Sequence, residues 1–382
     1  MNLLSSLRYF GDLVARRPDL VGLYFRNRLR EGTLALDQRR SDGVSRFPRN
    51  VTLKLTLACN LRCKMCAFSE SGQVSNRLSL SLSLEQWKAV VDDVVVFRPY
   101  ISITGGEPLL YPELPELVAH IKSRGLMCTL TTNGVMLQKL ASKLMESPPD
   151  MLMVSIDGPA DVHDGMRGAE GTFNRACEGI RAVQAVRREA NTKSPWIVVT
   201  CAVTEYNHRV IDRMPGIAAD LGVEVMNFQH QWVLTRRMVE AHERLLGEVH
   251  PASFEEMGGM APPSVDAEEV VQAVERIRAL GMVNGKQYIG MYPTLDSGEV
   301  RDWYGDPHKW VRRRVPACGW MGVNILPNGD VEACPGMIPG NVAREPLTSI
   351  WNNEAYREHR KRLIRYKGLP ICLRCCRYFR VD

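Results

Sequence analysis

Strand-like and helix-like stretches alternate between residues 51 and 229, and this alternation restricts the fold more than any other feature. Helical patterns, the first of them opened by Ser83 as a cap, fall at about 84–97, 113–124, 136–146, 171–190 and 207–221. Short aliphatic, β-branched runs between them are typical of strands, at residues 51–57, 100–104, 127–132, 151–156, 196–203 and 223–229. Because strands separated by helices pair in parallel, the sequence predicts an α/β fold, a partial (β/α)6 TIM-like barrel.

Polar turns follow the first four of these strands. The stretch TLACNLRCKMCAF follows the first, GGEP the second and TNG the third, and SIDGP ends the fourth. Ligands of parallel α/β proteins bind at the carboxyl ends of the strands. The sequence therefore predicts one functional site formed by these four turns.

The eleven cysteines fall mainly into two groups at opposite ends of the chain. The first group, Cys59, Cys63 and Cys66, has the spacing C-x3-C-x2-C, which is suited to zinc or an iron–sulfur cluster. Three protein ligands leave one metal position open for an exchangeable molecule. The odd cysteine count and the lack of a secretory signal favour reduced thiols in the cytoplasm.

The motif CNLRCKMC together with GGEP resembles the radical S-adenosylmethionine (AdoMet) enzymes. The resemblance implies that Cys59, Cys63 and Cys66 hold a 4Fe-4S cluster whose open iron binds AdoMet. Reductive cleavage of AdoMet then yields a 5′-deoxyadenosyl radical that abstracts hydrogen from a substrate. The AdoMet contacts that it implies are Phe68, Gly105, Gly106, Glu107, Pro108, Asn133, Ser155, Asp157 and Arg167.

Several of these residues also have ordinary structural interpretations. GGEP is composed of turn formers, Ser155 is a plausible cap at a strand end, and Arg167 is a plausible surface cation. Within the resemblance, Ser155 and Arg167 form a polar pair on the carboxylate and ribose side of AdoMet. Asp157 shapes its own turn in the alternative interpretation.

The C-terminal group resembles the SPASM/twitch extension of the same enzymes, which carries auxiliary iron–sulfur clusters. NILPNGDVEA is predicted to be a hairpin with NG at its turn. The chain has fewer cysteines here than a full SPASM domain, so the resemblance implies one auxiliary 4Fe-4S cluster, with a four-cysteine zinc site as the alternative. The implied ligands are Cys318, Cys334, Cys372 and Cys375, with Cys376 as a replacement for Cys375.

These features divide the chain into four predicted parts. A helical segment, 1–49, precedes the radical AdoMet core at 50–232. A linker or insert, 233–315, contains one amphipathic helix at 266–280 and is otherwise expected to be irregular, and the auxiliary domain is 316–382. Residues 1–30 are basic and amphipathic, which suits packing against the barrel or contact with an anionic membrane surface.

The expected activity is hydrogen abstraction from a small molecule, giving oxidation, epimerisation or rearrangement. A peptide- or protein-modifying maturase is the alternative, disfavoured here because 49 N-terminal residues are too short for a leader-binding domain. Cys201, as a hydrogen donor, and His230 are candidates for contact with the substrate, and packing is the alternative for each; a buried strand cysteine usually serves packing. Flavodoxin or ferredoxin is the expected electron donor.

Two further classes remain as alternatives from the sequence. A non-catalytic zinc-binding protein accounts for both cysteine groups. An RNA-modifying enzyme would carry a basic, aromatic-rich module, whereas the net charge of +6 is a mild bias over 382 residues and the aromatic content is 7%. No nucleic-acid partner is therefore expected.

Overall fold

The structure, a computed structural model, describes residues 33–66, 81–247, 263–280 and 287–379. Two predictions lie outside these ranges. They are the AdoMet contact of Phe68 and the helical, membrane-contacting role of residues 1–30.

A parallel sheet forms the centre of the fold, as the sequence predicts. Its strands in chain order are β1 (Asn50–Lys54), β2 (Tyr100–Thr104), β3 (Met127–Thr132), β4 (Met151–Ser155), β5 (Trp196–Val203), β6 (Val225–His230) and β7 (Tyr288–Tyr292). Each strand pairs in parallel with the next. The α/β fold of barrel type is confirmed, and β7 follows the six predicted strands as a further parallel strand.

Helices connect the strands and cover one face of the sheet. They are α1 (Leu84–Val94), α2 (Leu114–Ser123), α3 (Leu137–Met145), α4 (Ala160–Arg167), α5 (Thr172–Glu189) and α6 (Met214–Asp220). Helix α1 begins at Ser83, whose hydroxyl accepts a hydrogen bond from the N–H of Gln86 in a capping box. Helix α4 is absent from the sequence prediction, because Gly165 and the flanking Pro159 and Gly168 interrupt the helical pattern.

The two faces of the sheet differ in character. Leu53, Ile103, Leu130 and Val154 have no exposed surface and belong to the core between the strands and the helices. The alternate residues form the opposite, interior face and are partly exposed. Eleven polar residues of that face form the interior polar row: Thr52, Lys54, Ser102, Thr104, Thr129, Thr131, Ser155, Thr200, Asn227, Gln229 and Tyr292.

The segment predicted as a linker contains regular structure. Helices α7 (Arg236–Leu246) and α8 (Ala267–Leu280) precede β7, and α9 (Ser297–Gly305) follows it. The predicted helix at 266–280 is confirmed, but the expectation of irregular structure elsewhere to residue 315 is wrong. All five residues of β7 are partly exposed, so this strand lacks the alternation of buried and exposed residues seen in its neighbours.

The C-terminal part joins the sheet next to β1. Strands β8 (Gly322–Ile325), β9 (Asp330–Glu332) and β10 (Gly340–Asn341) extend it, with β8 parallel to β1 and the other pairings antiparallel. The antiparallel pair β8–β9 confirms the predicted hairpin. Helices α10 (Cys318–Met321), α11 (Leu347–Ile350) and α12 (Glu354–Tyr366) complete the region.

Candidate functional site

The cysteine loop, residues 59–66, lies at the carboxyl end of β1 and is held by backbone contacts with neighbouring turns. The N–H of Gly106 donates to the carbonyl of Thr56 at 2.7 Å, and the N–H of Glu107 donates to the carbonyl of Ala58 at 2.8 Å. The predicted GGEP turn is therefore packed directly on the chain that leads into the loop.

Close approach explains both glycines of that turn. Gly105 has φ +145°, a conformation that other residues rarely adopt, and a Cβ there would lie 2.5 Å from the Thr56 carbonyl oxygen. A Cβ on Gly106 would lie 2.2 Å from the carbonyl oxygen of Ala58. Side chains at these positions would push the cysteine loop away from β2.

Glu107 uses its carboxylate to connect two turns. One oxygen accepts from Thr132 at 2.7 Å and from the N–H of Leu109 at 3.0 Å, and the other accepts from the N–H of Asn133 at 2.8 Å. Burial raises the pKa of Glu107, and these hydrogen bonds oppose that rise. The side chain thus braces GGEP against TNG.

Asn133 links the TNG turn to the cysteine loop. Its Nδ2 donates to Oδ1 of Asn60 at 2.8 Å, and its own Oδ1 accepts from the N–H of Val135 at 3.0 Å. Asn60 directly follows Cys59, so the position of the first thiol depends on this contact. Sequence reasoning did not identify Asn60.

Arg167, the last residue of α4, places its guanidinium beside a thiol of the cysteine loop. Its guanidinium binds Asp157 Oδ2 through Nε at 2.8 Å and Nη2 at 2.5 Å, and its Nη1 lies 3.8 Å from Sγ of Cys63. Burial lowers the pKa of Arg167, but Asp157 and Cys63 outweigh it and hold the pKa above its ordinary value. The ion pair with Asp157 was not predicted, and Ser155 lies in the interior polar row, so the role of Ser155 and Arg167 as AdoMet contacts stays a prediction.

Helix α4 also touches the loop through its backbone. The N–H of Lys64 donates to the carbonyl of Met166 at 2.9 Å. Gly168 ends the helix with φ +74°, and a Cβ there would lie 2.6 Å from the carbonyl oxygen of Arg62. This unpredicted helix therefore fixes the second half of the cysteine loop.

The three thiols of the loop are close enough to affect one another's pKa. Burial raises the pKa of Cys59, with a further rise from Cys63 and Cys66 and an opposing hydrogen bond from the N–H of Leu61. Burial also raises the pKa of Cys63, and the charge of Arg167 opposes it. Cysteines that ligate a metal must lose their protons, and Arg167 favours that loss at Cys63.

His163 and Asn207 are two buried residues of this region that the sequence did not reveal. His163 Nδ1 accepts from the N–H of Asp157 at 3.1 Å, and burial lowers its pKa to about 4. Asn207 Nδ2 donates to the carbonyl of Asp157 at 2.7 Å. Both are separated from the motifs in the sequence, so only the fold identifies them as supports of the Asp157 turn.

Cys201 and His230, the candidates for substrate contact, point away from the interior face. Both alternate with residues of the interior polar row and are completely buried against the helix layer. His230 Nδ1 is 2.7 Å from the hydroxyl of Tyr304 on α9, and burial lowers its pKa to about 3. The Cys201 thiol lies 3.7 Å from the carbonyl of Asp157. These positions match the packing interpretation of both residues.

Four C-terminal thiols form the second candidate site. Burial raises the pKa of Cys334, and Cys372, Cys318 and Cys375 raise it further, so the four lie within electrostatic range of one another. Arg374, which lies between Cys372 and Cys375, attaches that segment to α9, because its Nε donates to the carbonyl of Trp303 at 2.7 Å. The donor set is that of a four-cysteine iron–sulfur site.

Cys376 occupies a different position from Cys375. Its Sγ accepts a hydrogen bond from Nε2 of Gln229 at 3.5 Å, and its carbonyl accepts from the hydroxyl of Tyr292 at 2.5 Å. Gln229 and Tyr292 are register partners at the end of the interior polar row. The thiol of Cys376 therefore faces the barrel, which favours Cys375 as the fourth ligand.

Both cysteine groups fit iron–sulfur clusters in their chemistry. Within the described ranges, no three Cys, His, Asp or Glu side chains form a group able to hold a single metal ion. A four-iron cluster does not need such convergence, because each thiolate binds a different iron.

None of the helices in the described ranges is long and apolar enough to span a membrane.

Comparison with known families assigns each of the two cysteine groups to a known domain. The model of the radical SAM superfamily matches residues 53–198, and that of the SPASM iron–sulfur cluster-binding domain matches residues 317–376. The chain belongs to the radical SAM superfamily. A radical SAM domain binds a 4Fe-4S cluster with AdoMet, and a SPASM domain binds an auxiliary iron–sulfur cluster. The expected cofactors are thereby confirmed, and iron–sulfur domains replace the zinc alternatives.

Three curated relatives illustrate how the radical SAM chain matches other proteins. It is 34% identical to Fe-coproporphyrin III synthase of Methanosarcina barkeri over 35% of this chain and 33% of that protein. It is 28% identical to PqqA peptide cyclase of Xanthomonas axonopodis pv. citri over 86% of this chain and 80% of that protein. It is 24% identical to the subtilosin biosynthesis protein AlbA of Bacillus subtilis over 82% of this chain and 62% of that protein. The chain thus spans about a third to four fifths of these relatives.

A solved structure supports the fold. Streptococcus suis SuiB bound to precursor peptide SuiA superimposes with a TM-score of 0.61 at 11% identity, over 86% of this chain and 70% of that chain. At this identity the likeness concerns the fold alone.

Proposed function

We propose that this chain reductively cleaves AdoMet at the Cys59–Cys63–Cys66 site and uses the resulting radical to abstract hydrogen from a peptide or a protein side chain. The observation that carries the peptide assignment is the extent of the matches. PqqA peptide cyclase and the bacteriocin biosynthesis protein AlbA match more than four fifths of this chain. The small-molecule expectation is replaced on this ground.

The side chains of the site have supporting roles in this reaction. The cluster supplies the electron that cleaves AdoMet. Arg167 keeps a positive charge beside Cys63, and Glu107 and Asn133 hold the cysteine loop on the neighbouring turns. The glycines of GGEP leave the backbone free to approach a ligand closely.

The interior polar row also supports a peptide. It consists mainly of neutral hydroxyl and amide groups, which suit hydrogen bonding to peptide amides. Its one cation among the described strand residues, Lys54, forms an ion pair with Glu332 at 3.0 Å. A binding site for a substrate with several carboxylates would instead be expected to present unpaired arginines or lysines.

A tetrapyrrole is the second candidate substrate. The Methanosarcina barkeri Fe-coproporphyrin III synthase has the higher identity, 34%, although the match covers only 35% of this chain. A reducing compartment is needed to keep the thiols of both sites available for iron, so the cytoplasm is the proposed location. Flavodoxin or ferredoxin is the proposed electron donor.

The first experiment measures AdoMet cleavage under anaerobic conditions. Reconstituted protein with dithionite and AdoMet should form 5′-deoxyadenosine, and Cys63→Ala should abolish it. Cys177→Ala is a matched control, because Cys177 is buried on α5 away from both sites. Equal cleavage by Cys63→Ala and the wild type would refute the site assignment.

The second experiment compares substrates. One arm uses synthetic peptides whose sequences are encoded next to the gene for this protein, and the other uses Fe-coproporphyrin III. A mass change in a peptide together with faster 5′-deoxyadenosine formation supports the proposal. A product from the porphyrin alone would contradict it and favour the tetrapyrrole.

A further inference from the structure

Arg377 lies next to the C-terminal thiols and is anchored by the backbone. Its Nη2 donates to the carbonyl of Gly322 at 3.0 Å. Gly322 directly follows α10, the short helix that begins at Cys318. Two residues before Arg377 is Cys375, so the guanidinium lies between two segments that each supply a cysteine.

The charge of Arg377 is not neutralised by a nearby carboxylate in the described part of the chain. No Asp or Glu there lies within ion-pair distance of it. Glu332 is within electrostatic range, but its Oε2 already accepts from Lys54 at 3.0 Å and from Asn324 at 2.7 Å. The positive charge is therefore available to the thiols.

The thiols and Arg377 influence one another. Burial lowers the pKa of Arg377, but the charges of Cys318 and Cys375 outweigh burial and raise the pKa above its ordinary value. Two other buried arginines of the region behave differently. Arg360 and Arg374 donate to backbone carbonyls such as those of Gly319 and Trp303, and no cysteine is among the charges that act on them.

We infer that Arg377 raises the reduction potential of the auxiliary cluster held by Cys318, Cys334, Cys372 and Cys375. Reduction adds a negative charge to a site that four thiolates already make anionic. A fixed positive charge stabilises that state, and net charge and surroundings are what set the potential of a cluster. A cluster of higher potential accepts an electron more readily. This inference rests on the proposed cluster ligands and is independent of the substrate.

The test isolates the auxiliary cluster within the full-length chain. Replacement of Cys59, Cys63 and Cys66 by Ala removes the first cluster, and the reconstituted protein should retain about four irons. The reduced fraction of the remaining cluster is then measured by electron paramagnetic resonance at a series of fixed potentials. Arg377→Met should lower the ratio of reduced to oxidised cluster about tenfold at the midpoint of the parent, equivalent to a shift of about 59 mV for one electron.

Two variants serve as controls. Arg377→Lys keeps the charge and should remain within about twofold of the parent ratio. Arg365→Met removes an exposed positive charge of α12 and should leave the ratio unchanged. Arg377→Gln is a second neutral variant that keeps a donor for the carbonyl of Gly322.

Each result decides the inference. A neutral variant with four irons and the parent potential overturns it while leaving the proposed function intact. If both neutral variants lose the cluster and Arg377→Lys keeps it, the charge serves assembly, and the inference about the potential is overturned. A parent that binds no iron overturns the ligand assignment and the inference together.

Discussion

Arg167 lies between Asp157 and Cys63, with two of its nitrogens on the carboxylate and the third 3.8 Å from the thiol. Asp157 is itself fixed, because its Oδ1 accepts from the N–H of Ala202 at 3.0 Å at the end of β5. The charge beside the cluster thiol is thus positioned by the ends of two strands. This arrangement explains how Arg167, although distant in sequence, comes to lie beside the cysteine loop.

Asp157→Asn should weaken both the fold and the AdoMet site. The variant keeps the size of the side chain but leaves the buried guanidinium of Arg167 without its counter-charge. Loss of one partner of a buried ion pair costs roughly 3–5 kcal/mol, and loss of an outer-shell contact weakens a metal site about 10–100-fold. The measurements are thermal unfolding and the AdoMet-dependent change in the spectrum of the reduced cluster.

An exposed ion pair provides the control for that variant. Arg124 and Asp92 are 46% and 41% exposed, so Arg124→Gln should cost less than about 1 kcal/mol and leave AdoMet binding unchanged. AdoMet binding by Asp157→Asn at wild-type affinity would show that the ion pair has no role in the site.

Gly106→Ala should displace the cysteine loop. The new Cβ would meet the carbonyl oxygen of Ala58 at 2.2 Å, and overpacking of this kind destabilises a folded protein by about 1–3 kcal/mol. Reconstituted protein should therefore hold fewer irons and form less 5′-deoxyadenosine. Gly165→Ala is the matched control, since a Cβ there meets nothing within 4 Å and alanine favours its helix. Full cluster content in Gly106→Ala would contradict the close-contact argument.

Cys375→Ala and Cys376→Ala should differ in iron content. Loss of Cys375 removes a ligand of the auxiliary cluster, so iron should fall from about eight to about four per chain. Cys376 faces Gln229 and Tyr292, and its replacement should leave about eight irons. The reverse pattern would assign the fourth ligand to Cys376. Iron and sulfide assays after anaerobic reconstitution distinguish these outcomes.

His230 should make the protein less stable in acid. Its pKa is lowered to about 3 by burial, against 6.5 when unperturbed, so below pH 6.5 the unfolded chain binds a proton that the native protein excludes. This contribution to stability is present above pH 6.5 and is lost as the pH falls toward 3. Between pH 7 and pH 5 the wild type should lose about 2 kcal/mol more than His230→Asn in urea unfolding. Equal losses of stability in the two proteins would mean that His230 is protonated in the native state at pH 5, against the lowered pKa.

Local sequence patterns were sufficient for the parallel strands and for the two cysteine groups. Each of the six predicted strands exists, because aliphatic runs of this length between helical patterns have few other ways to be buried. The exception is β7, whose residues pair with β6 but are all partly exposed. Its identity as a strand depends on a neighbour rather than on its own composition.

The ion pair of the site required the fold. The sequence suggests Ser155 and Arg167 as polar contacts of AdoMet, but only the fold shows that α4 directs Arg167 to Asp157 and Cys63. Asn60, His163 and Asn207 are single polar residues without a motif, and only their burial against the motif turns gives them a role.

The sequence by itself determined the family and cofactors of this protein, since the spacing C-x3-C-x2-C with GGEP and the C-terminal cysteines predicted the radical SAM and SPASM domains. The first motif is local, so its three thiols stay close together in any fold, whereas Cys318, Cys334, Cys372 and Cys375 lie on separate segments that only the fold brings together. The tertiary structure alone decided which faces the side chains occupy. It turned Cys201 and His230 toward the helices, Cys376 toward the barrel and Arg377 toward the auxiliary thiols, because strand alternation and packing between distant segments set those directions.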